Sequence, residues 1–153
     1  MSDWIKELKQ TLEKEEMIEQ DKIKKIDYLK SQYPIWSNEV FQYFKNIFEK
    51  MRIELGDYVT EEKTNNSFRI KFKELSILVI AYNRDIDNVY SPKVDIKSET
   101  LPHTNKQIAT IIPSVDEQFD IKLIVSSGLL SKYNVPLTID LAEDMVKAVF
   151  VNK

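Results

Sequence analysis

With 153 residues, the chain has the length of one domain, and folding at this size buries roughly 68–70% of the surface that the unfolded chain exposes. Charged residues make up 31% and hydrophobic ones 42%, which fits a folded, soluble, charge-rich protein and excludes disorder of the whole chain. The net charge of −3, the scarcity of arginine (Arg52, Arg69 and Arg84) and the absence of cysteine argue against a general nucleic-acid binder and remove thiolate chemistry, disulfides and zinc–cysteine sites.

Residues 1–33 read as an amphipathic charged helix, partly detached from a core of residues 34–153. Charge interrupts its start at once, with Asp3, Lys6 and Glu7, and the longest apolar run, Ile77 to Tyr82, is far too short to span a bilayer. Neither an export signal nor a membrane span is expected, so the expected location is cytoplasmic. From Asp3 to Tyr33 there is no glycine or proline, and Ile5, Leu8 and Leu12, then Ile23, Ile26, Leu29 and Tyr33, recur at steps of three and four. Between Leu12 and Ile23 the stripe fails: Glu15, Glu19 and Lys22 occupy its positions, and Met17 and Ile18 fall out of phase. The helix is expected to bend, break or turn a new face there.

Pro34 disfavours helical geometry at Tyr33, and Ser37 with Glu39 two residues on offers an N-cap and an acidic first turn, which predicts a second helix from about residue 38. Val40, Phe41, Phe44, Ile47, Phe48, Met51 and Leu55 give it a wide apolar face, and Gly56 is the expected positive-φ residue at its end. Beyond Gly56 the period changes to two. Asp57–Lys63 and Ser67–Lys73 flank the polar turn Thr64-Asn65-Asn66 and predict a hairpin, and Leu75–Tyr82, apolar on both sides, predicts a central strand before a turn at Asn83-Arg84-Asp85. Further strands are expected at Lys93–Lys97, Gln107–Ile112 and Gln118–Ser126. A last helix begins after Pro136, capped by Thr138. The fold expected is α+β: two N-terminal helices, an antiparallel or mixed sheet of about five strands, and a C-terminal helix.

Little of this carries chemistry. The two glycines, Gly56 and Gly128, are too far apart for a phosphate-cradling loop. The one histidine, His103, stands in a loop-like stretch without a second positioned group for base catalysis. Acids grouped at Asp116, Glu117 and Asp120, or at Asp85 and Asp87, read as solvated turn residues. Val94-Asp95-Ile96-Lys97 and Phe119-Asp120-Ile121-Lys122 each show Asp-x-Lys, which on a strand puts the acid and the lysine on one face. The spacing resembles the core motif of the PD-(D/E)xK nuclease superfamily. That resemblance implies a divalent metal held by Asp95 or Asp120 and by a preceding acid (Asp85, Asp87 or Asp95), with Lys97 or Lys122 stabilising the attacking hydroxide. Alternation on a half-solvated strand yields the same pattern without catalysis.

Two binding features remain. The aromatic group Tyr28, Tyr33, Trp36, Phe41, Tyr43, Phe44 and Phe48 reads chiefly as core, with Trp36 and Tyr43 off the main stripe, and would line any small-ligand pocket between helix 38–55 and the sheet. The narrow seam of Ile5, Leu8 and Leu12 suits docking on the chain's own domain, on a second copy or on another protein. The expected function is therefore a non-enzymatic protein-binding accessory module, of the kind used by small bacterial antitoxin, immunity or phage-encoded proteins, and abundant lysine and isoleucine fit an AT-rich genome. A protein partner or self-association is expected, with no membrane, no strong nucleic-acid signal, no cofactor and no resident metal. The alternatives are the metal-dependent nuclease and the small-ligand binder.

Overall fold

Proline 34 divides the helical third of the chain. It lacks the N–H that a continuing helix needs and its ring crowds the preceding turn, so α1 (Asp3–Ser31) stops and α2 (Tyr33–Leu55) starts again after the single residue Gln32, with Pro34 in its first turn. The computed structural model describes residues 3–100, 104–128 and 134–151. The second helix thus begins about five residues earlier than its capping pattern predicts. Ser37 is not its N-cap: it lies inside the helix and its hydroxyl donates to the Tyr33 carbonyl at 2.6 Å. Of the bend, break or new face expected between Leu12 and Ile23, the break is absent: the helix runs on through Glu15 and Glu19.

Helix α2 ends at Gly56, whose φ of 59° and ψ of −133° are disfavoured for residues with a Cβ. A short 3-10 turn, Gly56–Tyr58, leads into the strands. Strands β1 (Val59–Lys63), β2 (Ser67–Phe72) and β3 (Leu75–Tyr82) form a meander, and the tiny hairpin β4 (Asp85–Ile86) and β5 (Val89–Tyr90) fills the connection to β6 (Lys93–Thr100). The turn of that hairpin, Asp87-Asn88, has positive φ at both residues, as a two-residue turn matched to strand twist requires. Strands β7 (Thr104–Val115), β8 (Ile121–Gly128) and β9 (Val135–Pro136) complete a sheet of order β1-β2-β3-β6-β7-β8-β9, antiparallel throughout. The main sheet has seven strands where about five were expected. Pro113 lies within β7 but past the last residue paired to β6, in the stretch that pairs only with β8, so its missing donor breaks no ladder bond on that side.

Helices α2 and α3 (Ile139–Phe150) pack on one face of the sheet. Trp36, Val40, Phe44 and Phe48 from α2, and Leu141, Met145 and Val149 from α3, bury against Phe68, Ile70, Ile77, Val79, Val94, Ile96 and Ile111. Thr138 caps α3 as its position predicts, its hydroxyl accepting from the Leu141 N–H at 3.2 Å. Trp36 belongs to this core and not to a binding surface: it is 1% exposed, and its indole N–H donates to the Leu29 carbonyl at 3.1 Å. Tyr43 is half-buried against the same core. Among the described residues no helix is long and apolar enough to cross a membrane.

Candidate functional site

The two halves of α1 have different surroundings. From Asp21 to Ser31 the helix is held by the domain. Leu29 is buried, and the Tyr28 ring meets Phe119 edge-on at 5.6 Å. Lys25 reaches both Asp21 (3.1 Å) and Glu117 (3.2 Å), and these hydrogen bonds, Asp21 first, raise its pKa. Lys30 stands over the Tyr90 ring at 5.0 Å. Burial pushes the Tyr90 phenol up to about 12, with Tyr33 and Asp85 adding to it. The grip thus comes from the β7–β8 turn on one side and the β4–β5 hairpin on the other. That first turn is unusual, because Phe119 has φ 60°, a region where bulky residues are outliers. Asp116 fixes the turn by accepting the Gln118 and Asp120 N–H groups at 2.9 and 3.0 Å.

From Asp3 to Gln20 every residue is exposed. This stretch makes about five helical turns and extends about 27 Å, and it carries Trp4 (61% exposed), Ile5 (44%), Leu8 (55%), Leu12 (59%), Met17 (70%) and Ile18 (57%). Where the arm meets the domain, an open cleft of about 650 Å³ lies between Met17, Ile18, Asp21, Lys25 and Glu117.

The Asp-x-Lys residues are placed differently from one another. Lys93, Asp95, Lys97 and Glu99 alternate onto the sheet face opposite the helix-packed core. Asp95 is nevertheless only 3% exposed. Its carboxylate pairs with Lys93 at 3.0 Å and accepts from Gln107 Nε2 (3.0 Å) and Thr110 Oγ1 (3.3 Å), and among the described residues no ion pair joins it to Lys97. Asp120 precedes β8 instead of lying on it, and is exposed. Lys122 points to Asp116 at 3.7 Å, not to Asp120. Lys122 lies opposite Ser114 and Asp95 opposite Thr110; four residues along β7 and two strands across put them on the order of 15 Å apart. The two motifs do not converge, and among the described residues no three His, Asp or Glu side chains are grouped to hold a metal ion. His103 lies outside the described residues.

Two further features of the surface are polar. On the same open face Arg69 makes a fork to Glu99 (2.7 and 3.3 Å) and reaches Glu62 at 2.7 Å. Burial pushes Glu99 up, but its bonds to Arg69 and Ser76 outweigh this and hold it below the usual carboxylate range. The space between α2 and the sheet, lined by Phe41, Phe68, Lys45 and Glu61, is about 180 Å³, below the roughly 300–1,000 Å³ of ordinary ligand sites, and Lys45 and Glu61 pair across it at 2.6 Å. Sequence patterns missed Lys93, Gln107 and Thr110 as partners of Asp95, since cross-strand neighbours follow from register. They missed Phe119 because nothing local marks an aromatic as a left-handed turn residue. No protein-family model, curated protein or solved structure matches this chain.

Proposed function

We propose that this chain is a protein-binding module that engages a partner through α1, with no catalysis of its own, in the manner of small accessory proteins such as bacterial or phage antitoxins and immunity proteins. One observation carries the reading: the first five turns or so of α1, Asp3 to Gln20, are exposed at every residue and leave six large apolar side chains in water. Exposed apolar surface of this kind, bordered by charge, marks interaction sites. Each such side chain gains about 1.5–3 kcal/mol on full burial, so a partner that covers Ile5, Leu8 and Leu12 has a ready source of affinity.

The test is affinity capture from the native host with the full chain and with the double variant Leu8→Ser/Leu12→Ser, followed by reconstitution of the recovered partner with both purified proteins. The variant should keep its melting temperature and lose about a hundredfold or more in affinity, the equivalent of ~3 kcal/mol. Equal binding by both proteins would remove α1 from the interaction.

A further inference from the structure

The exposed side of α1 also specifies what kind of partner it takes. At about 100° per residue, Asp21, Lys25, Tyr28 and Leu29 share the side turned to the domain, with Met17 and Ile18 beside it. Ile5, Leu8, Leu12, Ile23 and Ile26 fall on a different stripe, and all five are exposed. That stripe spans about six turns, and its middle is acidic: Glu19 lies on it and Glu15 and Glu16 border it, three acids with the single cation Lys22 beside Glu19. Glu13 with Glu16, Glu16 with Glu19 and Glu15 with Glu19 are neighbours on the helix surface, where like charges weaken a free helix.

We infer that this stripe seats an amphipathic helix of another protein, apolar at its two ends and basic at its middle. The inference rests on the protein-binding reading of α1. Lysine or arginine opposite Glu15, Glu16 and Glu19 relieves the repulsion within α1 while the apolar ends bury Ile5, Leu8, Ile23 and Ile26. A second copy fits poorly in either direction. Antiparallel pairing that matches Ile5 with Ile26 and Leu8 with Ile23 brings Glu15 against Glu16 of the other copy, and parallel pairing stacks each glutamate on itself. The same glutamates repel an anionic lipid surface.

Three synthetic helical peptides of the length of α1, with identical leucine seams and Lys, Gln or Glu at the three central seam positions, test this with the full chain by fluorescence anisotropy. The Lys peptide should bind at least tenfold more tightly than the Glu peptide, with Gln between. The gap should shrink as NaCl rises from about 0.05 M to about 0.5 M, and the variant Glu15→Lys/Glu16→Lys/Glu19→Lys should reverse the order. Equal binding of Lys and Glu peptides, still lost in Leu8→Ser, would overturn the basic centre and leave the protein-binding reading standing. A dimer of the free chain that dissociates in Leu8→Ser, or Leu8-dependent binding to phosphatidylglycerol vesicles, would assign the stripe to those occupants and overturn the inference. Binding of none of the three peptides overturns it too, and the capture experiment then judges the broader reading separately.

Discussion

Asp95 is an acid on an uncovered sheet face that is nonetheless almost wholly out of water, and its three partners account for how it stays there. Lys93 supplies the countercharge, and Gln107 and Thr110 supply donors from the neighbouring strand. A buried carboxylate without such partners is strongly destabilising. Truncation acts from the other side: Asp95→Ala leaves the Gln107 amide and the Lys93 ammonium short of an acceptor, at an expected cost of about 1–3 kcal/mol. Lys97→Ala, removing a half-exposed residue from the same face, should stay within about 0.5 kcal/mol. Urea denaturation of both variants checks this, and a Lys97 effect as large as that of Asp95 would mean that the two act together. The sequence shows Asp95 and Lys97 on one face correctly. It does not show that Lys93, two residues on the other side and equally in phase, is the one that closes on the acid.

At the scale of elements, α1 is one helix with two kinds of support. A free helix of fewer than about 12–15 residues is marginal in water because nucleation is costly, but the arm from Asp3 to Gln20 grows from turns already fixed by Leu29, Tyr28 and the Trp36 indole. Deleting residues 3–20 should therefore leave the unfolding free energy within about 0.5 kcal/mol, since little packing is lost. Trp36→Phe should cost about 1–3 kcal/mol by stranding the Leu29 carbonyl and should speed hydrogen exchange across residues 21–31. Exchange of residues 4–20 faster than that of α2 in the unaltered chain is the accompanying expectation, measured by mass spectrometry. Periodicity made the stripe of Ile5, Leu8 and Leu12 legible, but its interruption near Glu15 marks no change of backbone or surroundings; those change only from Asp21, on the other side of the helix. The docked side was not legible because ion pairs and one aromatic edge, not an apolar row, hold it. Likewise β4, β5 and β9 are two residues each, too short for any period, whereas β2, β3 and α2 are long enough to announce their faces.

For the molecule as a whole, the titrating groups with shifted pKa values set where stability should change with pH. Glu62 and Asp116 are lowered like Glu99, Glu62 chiefly by its bond to Arg69 and Asp116 chiefly by the Asp120 N–H. A lowered carboxylate binds its proton more weakly folded than unfolded, so its contribution is full above the ordinary value and is lost as pH falls through the lowered one. The acid limb should therefore begin below about 4.5, the ordinary glutamate value. On the alkaline side the sign reverses. Burial raises the Tyr33 and Tyr90 phenols, so the unfolded chain ionises first, and stability present below about 10 declines as pH climbs toward the Tyr90 value of about 12. Between those limits these groups contribute no slope, and the plateau should run from about pH 5 to about pH 9. Thermal melts across pH 2–11 of the unaltered chain, Glu99→Gln and Tyr90→Phe separate the two limbs: the first variant should flatten only the acid limb and the second only the alkaline one. An acid limb unchanged in Glu99→Gln would move its origin to Glu62 or to the Asp116 turn that holds Phe119 against α1.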